Sequence, residues 1–511
     1  MKVKKSLTLA ITGTMLFSGL LAGCGSNNTN NEAKATGNAA ATNAAGESSA
    51  AADNSSGLKP YELKMYLIGG PQKDLDRVLE EVNKYTKEKI NATLDVTMFD
   101  WGDYDKKMQV ITASGEPYDI AFTSSWTNDF RRNAANGTFL GLNDLLDKYG
   151  KETKEALDPR FLEGTKIKGE IYGVPVNKEL GQQWVWRFNK KYVDKYKMDI
   201  SKVHTLDELE PLLKTIKENE PADITPLAVP KGFKPFMPFD YVLGDELPIG
   251  VYMDSKDNKV VNILDTPELA KALDTMRRLY TAGYLRPDVA TLEGIDNIKT
   301  GKWFADREIT QPYAEKGWSR SAGYEIVTSP MHEPYVYTQS AAGSMHAISV
   351  TSGDPERAMM FLNLLNTDKY LRNLLNYGIE GVHYKKISDN VIEDLPAMKD
   401  SYAMPGFTLG NMYLTYLHAD DPADKWEAFK KFNDSAKEAP TFGFAFDPTP
   451  VKTEVAAINN VTKEFMPALY TGSVDPKTYL PKAAKKFKEA GLDKVIAEIQ
   501  KQLDEFKKTK A

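Results

Sequence analysis

Cysteine is almost missing. The 511-residue chain has one, Cys24, so no internal disulfide and no cysteine-rich zinc scheme can form. Histidine is scarce, and the five present (His204, His332, His346, His383, His418) contain no HExxH and no pair at helical ligand spacing. There is no excess of basic charge. Lys plus Arg number 65 against 71 Asp plus Glu, a net −6, which excludes a dedicated nucleic-acid binder with its basic face. The glycine signatures of nucleotide sites are missing too: Gly69-Gly70 opens no GxGxxG, and no GxxxxGK[ST] occurs anywhere. No cofactor is expected. What is present is a large acidic chain, 41% hydrophobic, too long for one ordinary core, so two lobes or domains are expected.

The N-terminus indicates the compartment. Lys2, Lys4 and Lys5 precede an uncharged, mostly apolar stretch that closes on Leu21-Ala22-Gly23-Cys24. An apolar core this short beside small residues reads as a secretory signal rather than a membrane span. Its end resembles the lipobox of bacterial lipoproteins, which implies cleavage after residue 23 and a diacylated Cys24 as anchor. Cleavage would lose three basic side chains and no acids, taking the formal charge from −6 to −9. A body so negative would not cling to an anionic bilayer by charge, so the lipid is expected to hold it. From Gly25 to Gly57 there is no Val, Ile, Leu, Met or aromatic residue, a composition that cannot offset its ordering entropy and reads as a flexible tether.

Alternation then predicts a strand at Tyr61, Leu63, Met65 and Leu67. The i, i+3, i+4, i+7 spacing of Leu75, Val78, Leu79, Val82 and Tyr85 predicts a helix. A second strand follows over Ile90–Met98, a helical stretch near 104–113, and a short buried strand at 118–122. This β-α-β-α-β order implies a parallel sheet with ligands beyond the carboxyl ends of its strands, at loops 69–73, 99–103 and 123–128. Further on, Thr205-Leu-Asp-Glu208 reads as a capping box, and a hairpin is expected around 255–258. Thr266-Pro267-Glu268 and Asp354-Pro355-Glu356 each read as a capped helix start. Past Pro440 come Phe442, Phe444 and Phe446, then several helices with a charged amphipathic end.

This layout resembles the extracellular solute-binding lipoproteins of bacterial ABC importers. Gly169-Glu-Ile-Tyr-Gly-Val-Pro-Val176, followed by Trp184-Val-Trp-Arg-Phe-Asn189 and Lys190-Lys191-Tyr192, is similar to that family's "GK.YG.P" strand and "..YN..L" crossover. Gly301-Lys-Trp-Phe-Ala-Asp306 resembles its "F..GK.AM" segment. Ser340–Ser349 and the helix after Asp354 resemble its last crossover and "..A..FL..L" helix, and Gly378-Ile-Glu-Gly-Val-His-Tyr384 its carbohydrate-branch "G.EG..Y" turn. The tail resembles that of a Gram-positive subfamily with an added C-terminal region. The resemblance implies an α/β fold of two lobes joined by crossing strands near Val174–Arg187, Phe304–Gln311 and Ser340–Ser349. On that scheme 1–23 is signal peptide, 24–57 the lipidated cysteine and tether, 58–180 with 305–342 the first lobe, 181–304 with 343–435 the second, and 436–511 an extension. It further implies a monomer on the outer face of the cell membrane that delivers a carbohydrate to an ABC permease.

A pyranose offers a C–H face and a rim of hydroxyls, so aromatic rings and planar polar side chains are its expected partners. Trp101 and Trp126 fall in loops after first-lobe strands, Trp184 and Trp186 on one face of a strand, and Trp303 just before the expected second crossing. Gln182, Gln183, Arg187, Asp119, Asn128 and Glu380 are candidate rim partners, and His383 a candidate orienter of the Glu380 turn. Core packing is the competing reading for each tryptophan, and a solvated or capping side chain for each polar residue. Three rival functions stand beside sugar capture: oligopeptide binding, ligand presentation to a membrane sensor, and glycoside hydrolysis. For hydrolysis no flanking motif singles out a pair among the 71 acids, and no catalytic residue is expected. Asp254–Lys259 lacks the glycine and terminal glutamate of a calcium loop.

Overall fold

A computed structural model of the chain describes residues 57–510, apart from 245, 246 and 295. The expected signal peptide, Cys24 and all but the last residue of the tether lie outside the described residues. In the first sheet, Tyr61–Ile68 pairs in parallel with Ala92–Phe99 from Tyr61↔Ala92 to Ile68↔Phe99. Ile120–Thr123 lies parallel on its other side. Met345–Ile348 then adds antiparallel to Ile120–Thr123, with Val174–Pro175 beyond it. Alternation decides what each strand hides: Ala92, Leu94, Val96 and Met98 are buried while Asp95 faces out. Helix Leu75–Ile90 returns the chain between parallel strands and buries Val78, Leu79, Val82 and Ile90 against them. Helices Pro355–Thr367 and Lys369–Tyr377 complete this core.

The second sheet runs Ile326–Pro330, Gln183–Asn189, Trp303–Thr310, Thr225–Leu227. Helices Leu206–Asn219 and Pro267–Thr281 cover one face through Leu209, Leu213, Ile216, Met276 and Leu279. Their starts follow local chemistry. The Glu208 carboxylate accepts from Thr205 N at 2.9 Å in a capping box, and Asp354 accepts from Arg357 N at 2.9 Å.

Two parts of the expected lobe assignment are overturned. Residues 305–342 were assigned to the first lobe, but residues 305–310 pair antiparallel with 188–183 in the second sheet, where Phe304 and Ala305 share a core with Trp186 and Phe188. Residues 343–435 were assigned to the second lobe, yet Met345–Ile348 is an inner strand of the first sheet, and Ala358, Phe361, Leu362 and Leu365 pack on it. The chain therefore does not cross at Phe304–Gln311 or at Ser340–Ser349. It crosses near 178–183, 331–340 and 436–446. These passages lie side by side. Gln182 and Tyr335 exchange backbone hydrogen bonds of 2.7 and 3.0 Å, and Tyr335–Val336 pairs in parallel with Lys437–Glu438.

The tail is no appendage. Helices Lys452–Tyr470, Pro476–Glu489 and Leu492–Lys510 bury Ile458, Phe465, Leu469, Phe487, Val495 and Ile499 in one core with Ile249, Val251, Leu269 and Leu273 of the second lobe. Helix Pro267–Thr281 thus feeds two cores of that lobe. Contact is so close that a Cβ on Gly472 would come within 2.1 Å of Met276 O, and its φ of 71° also favours glycine. The strap leading into the tail is held from both sides. Asp240 accepts from Thr441 N (2.8 Å) and Oγ1 (2.6 Å), whereas Thr338 of the first lobe accepts from Gly443 N at 3.0 Å.

Removing residues 436–511 would bare several buried side chains worth about 1.5–3 kcal/mol each, together comparable with a domain's whole stability of about 5–15 kcal/mol. A chain ending at Ser435 is expected to lose native near-ultraviolet dichroism and its cooperative urea transition. A truncated protein that melts as sharply as the full chain would contradict the shared core.

Candidate ligand-binding cleft

Parallel strands point their carboxyl ends at one edge of the first lobe, where ligands of such sheets sit. Trp101 follows Ala92–Phe99 and Trp126 follows Ile120–Thr123. At 48% and 52% exposure they are rings that a folded protein would ordinarily hide. Ser124 Oγ accepts from the backbone N–H of Trp126 (3.2 Å) and Thr127 (2.9 Å), and the Trp126 indole donates to Gly343 O at 2.8 Å, so this ring is held while exposed. Between the two lies Phe407, on a single 3-10 turn (Gly406–Thr408). It stacks on Trp101 (centroids 6.0 Å apart, planes at 29°) and meets Trp126 at 6.5 Å. The third loop, after Tyr61–Ile68, is covered: Gln72 accepts from Ala403 N at 2.7 Å and Asp74 N donates to Ser401 O. Segment 401–407 therefore takes that loop's place at the mouth.

On the second lobe the corresponding edge follows Trp303–Thr310. There Gln311-Pro312-Tyr313 turns into helix Ala314–Ala322 with Tyr313 at φ 63°, a left-handed conformation that costs a non-glycine residue about 1–2 kcal/mol. Such strain concentrates at ligand clamps. The Tyr313 hydroxyl donates to Asp424 at 2.8 Å, and Arg320 pairs with Asp420, both partners carried by the first lobe. Beneath these bridges is a cavity of about 320 Å³ lined by Tyr313, Trp318, Gln311, Glu308, Asp421 and Lys425. A larger hollow of about 730 Å³ is lined by the helices of residues 143–165 together with Gly169, Ile171, Glu438 and Phe442. Its Lys154 and Lys166 are already paired with Asp147 and Glu163. The smaller cavity is the better candidate, because it lies between lobes and combines rings with planar polar groups.

Several sequence candidates have other work. Trp186 and Trp303 are fully buried in separate cores of the second lobe, and Trp303 donates to Tyr324 at 2.8 Å. Arg187 is buried in a two-pronged pair with Asp306, both bonds 2.8 Å, stacked 4.9 Å over Trp318. Burial pulls its pKa down, but Asp306 outweighs this and holds it above the usual value. Asp119 precedes its strand and so lies at the end away from the cleft, accepting from Tyr61, Lys64 N and Ser352. Asn128 folds its own loop at φ 44°, donating to Phe122 O. His383 is buried, accepts from Ile379 N and donates to Asp74, so it fastens a turn to the first helix. Glu380 is exposed and paired with Lys386. Trp184 is half-buried with the Arg307 guanidinium 4.1 Å over its ring, and Gln183 reaches His332 O. Gln182 takes part chiefly through its backbone, in the crossing. Of the named set, Trp101 and Trp126 are brought together. Phe407 and Tyr313 were missed. Tyr313 carried one signal, its place directly after a strand's carboxyl end.

Two imidazoles, one half-buried and one fully buried, are held neutral. Burial lowers His332, which accepts from Trp184 N and lies flat on Phe236 at 4.6 Å. Burial lowers His346 to about 4, and its Nε2 donates to Thr408 O at 2.9 Å.

The bacterial extracellular solute-binding protein family matches residues 70–371, and a domain of unknown function, DUF3502, matches 440–508. A Streptococcus pneumoniae protein described as a carbohydrate ABC transporter substrate-binding protein is 39% identical over 483 residues, 94% of this chain and 97% of that one. The chain belongs to the bacterial extracellular solute-binding proteins. Among solved structures, the S. pneumoniae N-glycan transport solute-binding protein NgtS superposes with a TM-score of 0.83 at 38% identity, covering 89% of this chain and all of that one. Its complexes with Man5GlcNAc and Man1GlcNAc superpose at 0.73 and 0.76, at 38% and 37% identity, over 89% and 87% of this chain and 100% and 99% of theirs.

The His346 shift gives a pH signature. Above about pH 6.5 the imidazole is neutral both folded and unfolded. As pH falls toward 4 only the unfolded chain takes the proton, so the native state loses up to about 3 kcal/mol, and this loss levels off below 4. His346→Gln keeps a donor for Thr408 O and does not titrate. Urea unfolding at pH 7 and pH 4.5 should show a smaller acid loss in the variant. Equal losses in the two proteins would refute this reading of His346.

Proposed function

We propose that this protein captures a carbohydrate of the N-glycan type, mannose built on N-acetylglucosamine, and delivers it to an ABC permease. In this reading Cys24 anchors it to the outer face of the membrane and it acts as a monomer. The observation that carries the sugar assignment is the exposed aromatic row Trp101–Phe407–Trp126 at the carboxyl ends of the first-lobe strands. Such a row matches the C–H faces of linked pyranoses, which gain by stacking without needing a charged partner. The cavity at the second-lobe edge, with Tyr313, Trp318, Gln311 and Glu308, supplies two further rings and groups able to bond hydroxyls. The S. pneumoniae relatives, described as handling carbohydrate and N-glycans, support the same class of ligand.

Capture works by closure: a glycan resting on the first lobe is met by the second as the three crossings bend. The relatives are transport proteins, and the reading requires no covalent step.

Titration calorimetry with Man5GlcNAc, Man1GlcNAc and an oligopeptide tests it. Both glycans should bind and the peptide should not. Trp126→Ala should weaken glycan binding by about 1 kcal/mol or more, whereas Trp186→Phe should leave the Kd of the folded protein unchanged. Binding of peptide alone would move the protein to the oligopeptide receptors, and consumption of the glycan would show an enzyme.

A further inference from the structure

We propose that Arg372 and His346 are positioning residues for the ligand: from inside the first lobe they grip the carbonyls on either side of Phe407 and so hold its ring between Trp101 and Trp126. The inference rests on the carbohydrate reading and adds how the platform is built. Arg372, on helix Lys369–Tyr377, is wholly buried and donates through Nη2 to Gly406 O and through Nη1 to Asn376 Oδ1, both at 2.8 Å. Among the described residues no carboxylate pairs with it, its Nε has no partner, and burial pulls its pKa down to about 10. His346, on the inner strand Met345–Ile348, is likewise buried and bonds Thr408 O, leaving Nδ1 without a partner.

A lone buried cation and a half-satisfied imidazole are costly when apolar side chains would fill the same space. Both are spent on one three-residue turn, one on the carbonyl before Phe407 and one on the carbonyl after it. Gly406 fits this use: a Cβ there would come within 2.9 Å of the Asn376 oxygen that receives Arg372. Phe407 in turn is the ring that touches both tryptophans. Held in place, it makes one platform long enough for more than one sugar ring. Released, it leaves two separate single-ring sites. The pair therefore sets preference for longer glycans without touching them.

The test uses the full-length chain with Phe407→Ala, Arg372→Met, Arg372→Lys, His346→Leu and His346→Gln, and the pairs of each with Phe407→Ala. Arg372→Met and His346→Leu should each weaken Man5GlcNAc binding about fivefold or more where Phe407 is present, and less than about twofold where it is alanine. Arg372→Lys and His346→Gln, which keep a donor, should recover most of the loss. Equal losses with and without Phe407 would reduce both residues to scaffolding and overturn the proposal. A ligand-free readout accompanies this: the near-ultraviolet dichroism change caused by Phe407→Ala should vanish in the Arg372→Met and His346→Leu backgrounds. If it persists unchanged, the proposal fails. If it vanishes while the parent chain binds neither glycan, the positioning stands and the glycan assignment falls. Should Arg372→Met not fold, the His346 series decides alone.

Discussion

Everything in this molecule depends on three backbone passages running side by side between the lobes. Residue 182 bonds 335, and 335–336 pairs with 437–438, so the first, second and third passages form one narrow ladder. A ladder of so few bonds can bend, yet it fixes which edges of the two sheets confront one another. It also explains why the tail belongs to the working protein. The third passage leads directly into the helices that complete the second lobe, and Asp240 and Thr338 hold it from opposite sides. A region that matches a domain of unknown function thus completes a core of the second lobe and follows directly on the third passage.

Buried charge is placed where geometry has to be exact within a lobe. Arg187 and Asp306 close on each other across adjacent strands of the second sheet, with Asn297 donating a third bond to Asp306. Asp240, its pKa raised by burial and partly restored by Thr441, receives the strap. Breaking a buried pair by removing one partner leaves an uncompensated charge, so each fixes a single arrangement of its surroundings. None of these groups lies at the exposed aromatic row. They set its frame.

How far the sequence disclosed this follows from the range of each interaction. The capping residues Thr205, Thr266 and Asp354 were readable because a cap is settled within four residues. The first three strands and the loops carrying Trp101 and Trp126 were readable because alternation and parallel topology point to one edge. The second crossing was misplaced because the partner of residues 305–310 is 183–188, more than a hundred residues away, and no local pattern specifies it. Trp186 shares a strand face with Trp184, as expected, but that face meets helices rather than solvent. Asp119 stands just before its strand, at the end away from the cleft. Phe407 had no periodicity to betray it: its turn is one residue either side of the ring, anchored by side chains 35 and 61 positions earlier in the chain.

The contrast between contacts inside lobes and contacts across them bears on how closure works. Within the second lobe, the Arg187–Asp306 pair is buried and doubly bonded. Across the cleft, Arg320–Asp420 is about half exposed on both sides and Tyr313–Asp424 is open to solvent. Exposed pairs of this kind contribute about 0–1 kcal/mol each. A clasp so weak cannot lock either arrangement, so a ligand that favours the closed form by a few kcal/mol is enough to shift the population. Rings fixed on one rigid wall and weak polar bridges across the gap are what such a receptor needs, since the glycan rather than the protein then supplies the energy that distinguishes closed from open.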